Sequence, residues 1–300
     1  MTDALDLTNR KEPVEQAIQG GRSLWDDARA RLFRNKAAVA SMFILSIMVL
    51  IAMIGPIVWV HDYRTISGNI EIAPTFDNWH LLGTDTQGRD LVARLMLGLR
   101  ISLAVGVVAT IVSLVIGVTW GAVAGFIGGR VDNIMMRFVD VLYAMPFIFF
   151  VILLLTVFGR NIILIFAAIG AVEWLTMSRI VRGQTLALKN REFIEAARAT
   201  GVPVFTIIRR HILPNVVGPV AVYVTLTIPV VIMAESFLSF LGLGVNEPLT
   251  SLGVLISEGA REMQDKPWML MAPALTMGIT LLCLNFIGDG LRDALDPKER

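Results

Sequence analysis

Uncharged apolar stretches recur along the chain at lengths that match a bilayer. Ala37–Val60 runs 24 residues without a charge, Ile101–Gly129 runs 29, Val141–Gly159 runs 19, Ile212–Ala234 runs 23 and Pro267–Gly288 runs 22. Asn161–Ser178 adds 18 residues interrupted by one acid, Glu173. A helix needs about 20 mostly apolar residues to cross the hydrocarbon core. The pattern therefore predicts six transmembrane helices in an all-α, polytopic membrane protein. A β-barrel would show short segments of alternating apolar and polar residues instead.

Finer patterns fill the spaces between spans. Residues 1–21 read as a disordered lead-in with mixed charge, Pro13, Gly20 and Gly21. In "SLWDDARARLFRNK", Ser23 followed by Asp26 looks like a capping box. Trp25, Ala28 and Leu32 follow at helical spacing, while Arg29, Arg31, Arg34 and Lys36 supply cations. Such a helix suits the membrane surface, with its cations at anionic headgroups. The plainer reading is a positive patch that only fixes orientation. No cleavable signal peptide is expected, because some 36 residues precede the first apolar run.

The stretch 61–100 predicts a short helix over Asp90–Leu97, capped by Thr86 or Asp85 and leading through Gly98 into the second span. "DTQGRD" lacks the regularly alternating acids and distant Glu of a calcium loop. Gly117, Gly121 and Gly125 fall every four residues in the second span, on a face that lets another helix come close. A short turn around Gly159–Asn161 makes spans three and four antiparallel neighbours, and Pro214, Pro219 and Pro229 predict kinks or breaks in the fifth.

Composition agrees with the spans: 55% of residues are hydrophobic and 17% charged, against about 25% charged in soluble proteins. The net charge of +1 hides an asymmetry that composition alone misses. With the N-terminus inside, segments 1–36, 130–137, 179–211 and 292–300 hold 19 of the 26 Lys and Arg. That positive-inside bias predicts cytoplasmic termini and a cytoplasmic segment 192–214. Cys283 is the single cysteine, so no disulfide forms within the chain.

Candidate chemistry is sparse. No Gly is followed by Lys, so the phosphate loop of ATP-hydrolysing proteins is absent. His61, His80 and His211 are far apart in sequence and predict no metal site; no catalytic trio or cofactor motif stands out. Asp140, Glu173, Glu235 and Asp289 read as lying near span ends, where they serve as boundary or interhelix caps or, alternatively, in transport. The segment "EFIEAARATGVPVFTIIRRHILPN" is the strongest feature. Glu192–Thr200 predicts a short helix capped by Gly201, Val202-Pro203 an extended link, and Phe205–Ile212 a second helix before Pro214 opens the fifth span. Two short helices at an angle, with small side chains on the first, would make a rigid knob that another protein's backbone can approach. The alternative is a solvated loop.

At these residues the chain resembles a known family. Glu195, Ala196 and Ala197, Gly201 six positions after the Glu, and Leu213-Pro214 match the EAA motif of permease subunits of bacterial ABC importers. His211 stands where Ile is usual, a substitution common in the peptide and nickel branch. "LLGTDTQGRDLVARLMLGLRISL", "ESFLSFLGLG" with "EPLTSLG", and "NFIGDGLRDALDPKER" are similar to the C-type permeases of the oligopeptide, dipeptide and nickel importers. The resemblance thus covers nearly the whole chain, and "RSLWDDARARLFRNKAAVAS" leans towards oligopeptide members.

The resemblance implies a type I ABC importer permease fold in a bacterial inner membrane. It implies a cytoplasmic N-terminal segment with an interfacial helix (1–36), a transmembrane permease domain (37–291) with its coupling segment at 192–214, and a cytoplasmic tail (292–300). It implies a non-catalytic subunit, without a cofactor of its own, in an ATP-driven translocase. Two cytoplasmic ATPase partners would bind ATP and Mg, a B-type permease would complete the pore, and an extracytoplasmic binding protein would deliver peptide to loops 61–100 and 235–266. Glu195, Ala196, Ala197 and Gly201 would carry the ATPase contact, with Leu213 and Pro214 passing load into the fifth span. Lipid surrounds the chain, and no nucleic-acid partner is implied. The alternatives are the same machine for dipeptides, nickel or a small glycoside, an ATPase-independent secondary transporter, or a membrane enzyme.

Overall fold

A computed structural model describes residues 24–159 and 162–295. The lead-in over 1–21, the Ser23 cap, the turn residues 160–161 and the last five residues fall outside the described residues. In chain order the helices are α1 Leu24–Arg34, α2 Lys36–Val58, α3 Leu91–Ile127, α4 Gly129–Ala144, α5 Phe147–Phe158 and α6 Ile162–Lys189. They continue with α7 Glu192–Ala199, α8 Val204–Ile207, α9 Leu213–Phe240, α10 Leu252–Arg261 and α11 Pro267–Leu295. Five rods, α2, α3, α6, the run from α8 through α9, and α11, are long and apolar enough to cross a membrane.

The third expected span, 141–159, is not one straight helix. It is split into α4 and α5, which meet at an angle of 87°. The break lies at Met145-Pro146, where Met145 is extended with φ −76° and ψ 132°. A residue before proline avoids the helical region, so the apolar run cannot stay one helix. The expected loop over 130–137 is part of α4. Its acids face α6: Asp132 takes both Arg182 Nε at 2.6 Å and Arg182 Nη2 at 2.7 Å, and Asp140 accepts from Arg179 at 2.8 Å.

The separate helix expected over Asp90–Leu97 merges into the 37-residue α3. Its cap is Asp90, which accepts from the Ala93 N–H at 2.8 Å, rather than Thr86 or Asp85. Gly98 is no hinge; a Cβ there would lie 3.1 Å from the Ser251 carbonyl carbon, at the start of α10. Arg100 is accommodated by a defect in its neighbour. Pro56 inside α2 has no N–H for the Ala52 carbonyl, and Arg100 donates to that oxygen at 2.9 Å and 3.0 Å.

The core of the bundle is the α3–α6 contact, and it forms as the glycine spacing predicts. A Cβ on Gly117 would lie 2.5 Å from Met177 Cβ, one on Gly125 2.9 Å from the Arg182 carbonyl oxygen, and one on Gly121 would strike the Ser178 carbonyl. Matching numbers rise together along both helices, so α3 and α6 run parallel with their backbones in contact. Gly106 offers the same freedom to Ile228 and Ile232 of the antiparallel α9. α5 and α6 share a hydrophobic cluster through Val151, Leu155, Ile165, Ala168 and Ile169, as neighbours joined by a short turn should. α1 and α2 pack on the far end of α11, where a Cβ on Gly290 would meet Leu32 and Ala38.

The two ends of the bundle therefore differ. One end gathers α1, α7 and the end of α11. The other gathers residues 59–90 and 241–266, tied by Gln87 to Glu247, Arg94 to Glu258 and Lys266 to Glu71.

Candidate functional site

Between α6 and α9 the chain makes the knob that the sequence predicts. α7 starts at Glu192 and ends at Ala199, with Thr200 as its C-terminal cap. Gly201 follows at φ +76°, a left-handed conformation that glycine adopts without steric cost. Its N–H donates to the Arg198 carbonyl at 3.0 Å, and the Val202 N–H donates to the Ala197 carbonyl at 3.1 Å. These paired bonds are the Schellman closure, which turns the chain sharply and sends Pro203 back towards the bundle.

Position within α7 sorts its residues by task. Ile194 and Ala197 point inward, 0% and 9% exposed, into a cluster with Ala122 and Phe126 of α3, Met177 and Val181 of α6, and Ile207, Ile208 and Ile212. Glu195, Ala196, Arg198 and Gly201 are exposed. Arg198 also lies over the Phe126 ring at 4.8 Å, binding the outer face of α7 to the end of α3. Lys189 donates to the Ile127 carbonyl at the C-terminus of α3 at 3.2 Å, where a cation also complements the helix dipole. The knob is thus fixed to the two helices that form the core.

The second short helix expected over Phe205–Ile212 is not a separate piece. α8, a π-helical turn over Ile208–Ile212 and α9 form one rod from Val204 to Phe240. In the wide turn the Leu213 N–H reaches five residues back to the Ile208 carbonyl. Pro214, next in line, has no N–H to continue the ladder. The rod continues without a break through Pro219 and Pro229. Leu213 packs against the inner cluster while Pro214 is exposed. Only Gly201 to Pro203 separates the knob from a transmembrane rod, so a push on α7 has a short mechanical path into α9.

Two functional candidates are absent from the sequence reading. Phe193 and Phe205 are exposed apolar residues on this polar end, Phe205 at 73%. Phe193 meets the His211 ring with centroids 6.5 Å apart, so the motif's unusual histidine backs an exposed aromatic. The available signal was the presence of two phenylalanines in an otherwise charged segment.

The acids of the spans divide. Glu235 is wholly buried and takes Ser239 Oγ at 2.7 Å and Ser102 Oγ at 3.4 Å, while Ser102 also accepts the Leu252 N–H. It is an interhelix bracket joining α3, α9 and α10, as expected. Asp140 is likewise an interhelix partner, through Arg179. Glu173 is not near a span end, because α6 continues for 16 residues beyond it.

At the opposite end, Asp85 is fully buried and accepts from Arg89 Nε at 2.8 Å and Arg94 Nη1 at 2.5 Å. Burial pushes its carboxyl up, but Arg94 and the hydrogen bonds from Arg89 and Gln87 outweigh that and hold it below the ordinary aspartate value. His61 and His80, distant in sequence, stack with centroids 4.4 Å apart. Their ligand atoms and that of Asp90 lie within 4.8 Å of one another, so a cation could be held there. Both Asp90 oxygens already have donors, Oδ1 facing His80 Nδ1 at 2.9 Å and Oδ2 taking Trp59 Nε1 and the Ala93 N–H. The group reads as a capping cluster that seats α3.

Comparison with known proteins gives this geometry a context. Residues 117–300 match the family described as binding-protein-dependent transport system inner membrane component, and residues 23–77 match the N-terminal TM domain of oligopeptide transport permease C. The chain is 54% identical to the oligopeptide transport system permease protein OppC of Haemophilus influenzae over 288 residues, covering 96% of this chain and 93% of that one. With OppC of Escherichia coli K12 the identity is 54%, covering 98% and 97%. The dipeptide permease DppC of Bacillus subtilis is 44% identical, with coverage of 93% and 87%. Among solved structures, a chain of the inward-facing MetNI methionine ABC transporter shares the fold, with a TM-score of 0.56 at 17% identity, covering 66% of this chain and 94% of that one.

Proposed function

This chain belongs to the binding-protein-dependent transport system inner membrane component family, and we propose that it is the C-type permease subunit of an ATP-driven oligopeptide importer. The observation that carries the reading is α7: a short helix with Glu195 and Ala196 outward, locked by the Gly201 closure and one turn away from a transmembrane rod. The substrate reading rests on 54% identity to oligopeptide permeases over nearly the full length.

In this reading a second, B-type permease completes the pore. Two cytoplasmic ATPase subunits supply all ATP and Mg chemistry, and one of them seats α7. Glu195, Ala196 and Gly201 meet the ATPase; Ala197, turned inward, holds the knob on the bundle; Leu213 and Pro214 carry its movement into α9. Closure of the ATPases on ATP tilts the knob and opens the pore to the outside, where a loaded binding protein delivers peptide to the 59–90 and 241–266 end. Hydrolysis resets the pore inward. The domain limits are 1–36, 37–291 with the coupling segment 192–214, and 292–300, with both termini cytoplasmic.

Uptake by proteoliposomes holding the four-subunit assembly tests the substrate. ATP-dependent entry of a pentapeptide, at a rate well above those of a dipeptide and Ni2+ from their own binding proteins, is the expected result; a preference for either of the latter replaces the oligopeptide reading. Sidedness has its own check. In spheroplasts, Asn78→Cys should react with an impermeant maleimide and Thr200→Cys should not, and the reverse labelling would invert the topology.

A further inference from the structure

A hollow of about 490 Å3 opens where the broken third crossing meets α6 and α9. It is walled by Tyr143, Met145 and Pro146 at the α4–α5 break, Glu173 and Thr176 of α6, and Val230 of α9. Its volume lies within the roughly 300–1,000 Å3 range of small-molecule sites. A second hollow of about 570 Å3 follows the same two helices towards the α7 end, between Gln184 of α6, Tyr223 of α9 and Arg292 of α11. The two recesses mark a groove along the α6–α9 seam.

Glu173 is the acid of that groove, and its depth is unusual. It stands eleven residues after Ile162, about 17 Å along the helix at 1.5 Å per residue. That is about the middle of a hydrocarbon core roughly 30 Å thick. Among the described residues no cation pairs with it. The arginines of its own helix are committed elsewhere, Arg179 to Asp140 and Arg182 to Asp132. An ionisable residue at this depth is costly to keep, and such residues mark substrate paths. The contrast with Glu235 is direct, since that acid is wholly buried among serines.

We propose that Glu173 is a way-station on the translocation path, where its carboxylate receives the ammonium terminus of the passing peptide. The inference rests on the peptide-importer reading. Its lining supplies an acceptor and apolar walls, while Arg179, over the Tyr143 ring at 4.2 Å, is held by Asp140, so the recess suits a neutral peptide entering amino end first. Thr176 and Tyr143 line the recess beside the acid, the Thr176 hydroxyl bonded to Tyr223 of α9. One site that grips a group common to all peptides, and ignores side chains, serves a carrier of mixed sequences.

The test uses the full assembly in proteoliposomes, with binding protein saturated by tetra-alanine or by its N-acetyl form. Wild type should import the free-amine peptide about tenfold faster, the scale of one charge-assisted hydrogen bond. Glu173→Gln should bring that ratio close to one while the second permease still co-purifies, and Glu173→Asp should keep the preference. A ratio unaltered by Glu173→Gln, or equal import of both peptides by wild type, overturns the proposal. So does loss of the second permease from the Glu173→Gln assembly, which would make Glu173 an interface ion-pair partner. If wild type imports neither peptide, the peptide reading itself fails and takes this assignment with it.

Discussion

Gly201→Val is expected to abolish nearly all peptide uptake while leaving the chain inserted and folded in the membrane. A Cβ at Gly201 would meet nothing within 4 Å, so no clash is involved. The effect comes from the backbone, which at φ +76° costs an ordinary L residue about 1–2 kcal/mol and a β-branched one more. An eight-residue helix has little stability of its own; it keeps its place through Ile194, Ala197 and the closure at Gly201. Relaxing the strain would undo the Gly201 and Val202 hydrogen bonds and shift the population of the docked geometry by about tenfold or more. Gly201→Asn tolerates the left-handed region and should keep most activity. Uptake and co-purification of the ATPases check both: valine loses the two together, and asparagine keeps them.

The second large effect is expected at the other end, with Arg94→Met. Arg94 is 1% exposed and holds two acids at once, Asp85 at 2.5 Å and Glu258 at 2.7 Å. Methionine fills similar space but leaves the buried Asp85 with Arg89 and the Gln87 N–H, one cation where there were two. Removing one partner of a buried ion pair costs about 3–5 kcal/mol, enough to loosen the 59–90 loop from α10. The loss should appear as a lower melting temperature of the purified protein. The acid response also has a definite sign. Asp85 is held below its ordinary value in the folded chain, so its contribution is present above the unfolded value and fades as pH falls through the lower, folded one. Without Arg94 the largest influence that lowers Asp85 is gone and its carboxyl moves up, so the variant should lose its loop structure at a higher pH than wild type. A tryptophan fluorescence titration would follow it, since Trp59 donates to Asp90 beside this network. Identical acid midpoints would count against the account.

Much of the fold was legible because the membrane demands it. Spans show as uncharged runs, the glycines of α3 announced a close helix pair, and Gly201 announced the end of α7. What the sequence concealed has physical reasons. The bend at Met145-Pro146 is apolar on both sides, so hydropathy cannot distinguish it from a straight span. Arg100 and Arg179 looked like span limits, yet Arg100 donates to the Ala52 carbonyl and Arg179 pairs with Asp140, and α3 and α6 run on past them. That extension is also why Glu173, apparently a boundary acid, stands at mid-depth. His61 and His80 meet only because the loop between them folds back over Asp90. At the candidate site, the motif residues were readable through the family resemblance. Their division into inward Ala197 and outward Glu195 and Ala196 needed the packing of α7 on α3 and α6.

The central claim is that energy enters this chain through α7 and its Gly201 closure. The direct measurement is ATP hydrolysis by the reconstituted assembly, with and without loaded binding protein, for wild type, Gly201→Asn, Gly201→Val and Glu195→Lys. The account predicts that the loaded binding protein stimulates hydrolysis in the first two and fails to do so in the last two. Undiminished stimulation in both Gly201→Val and Glu195→Lys would contradict it.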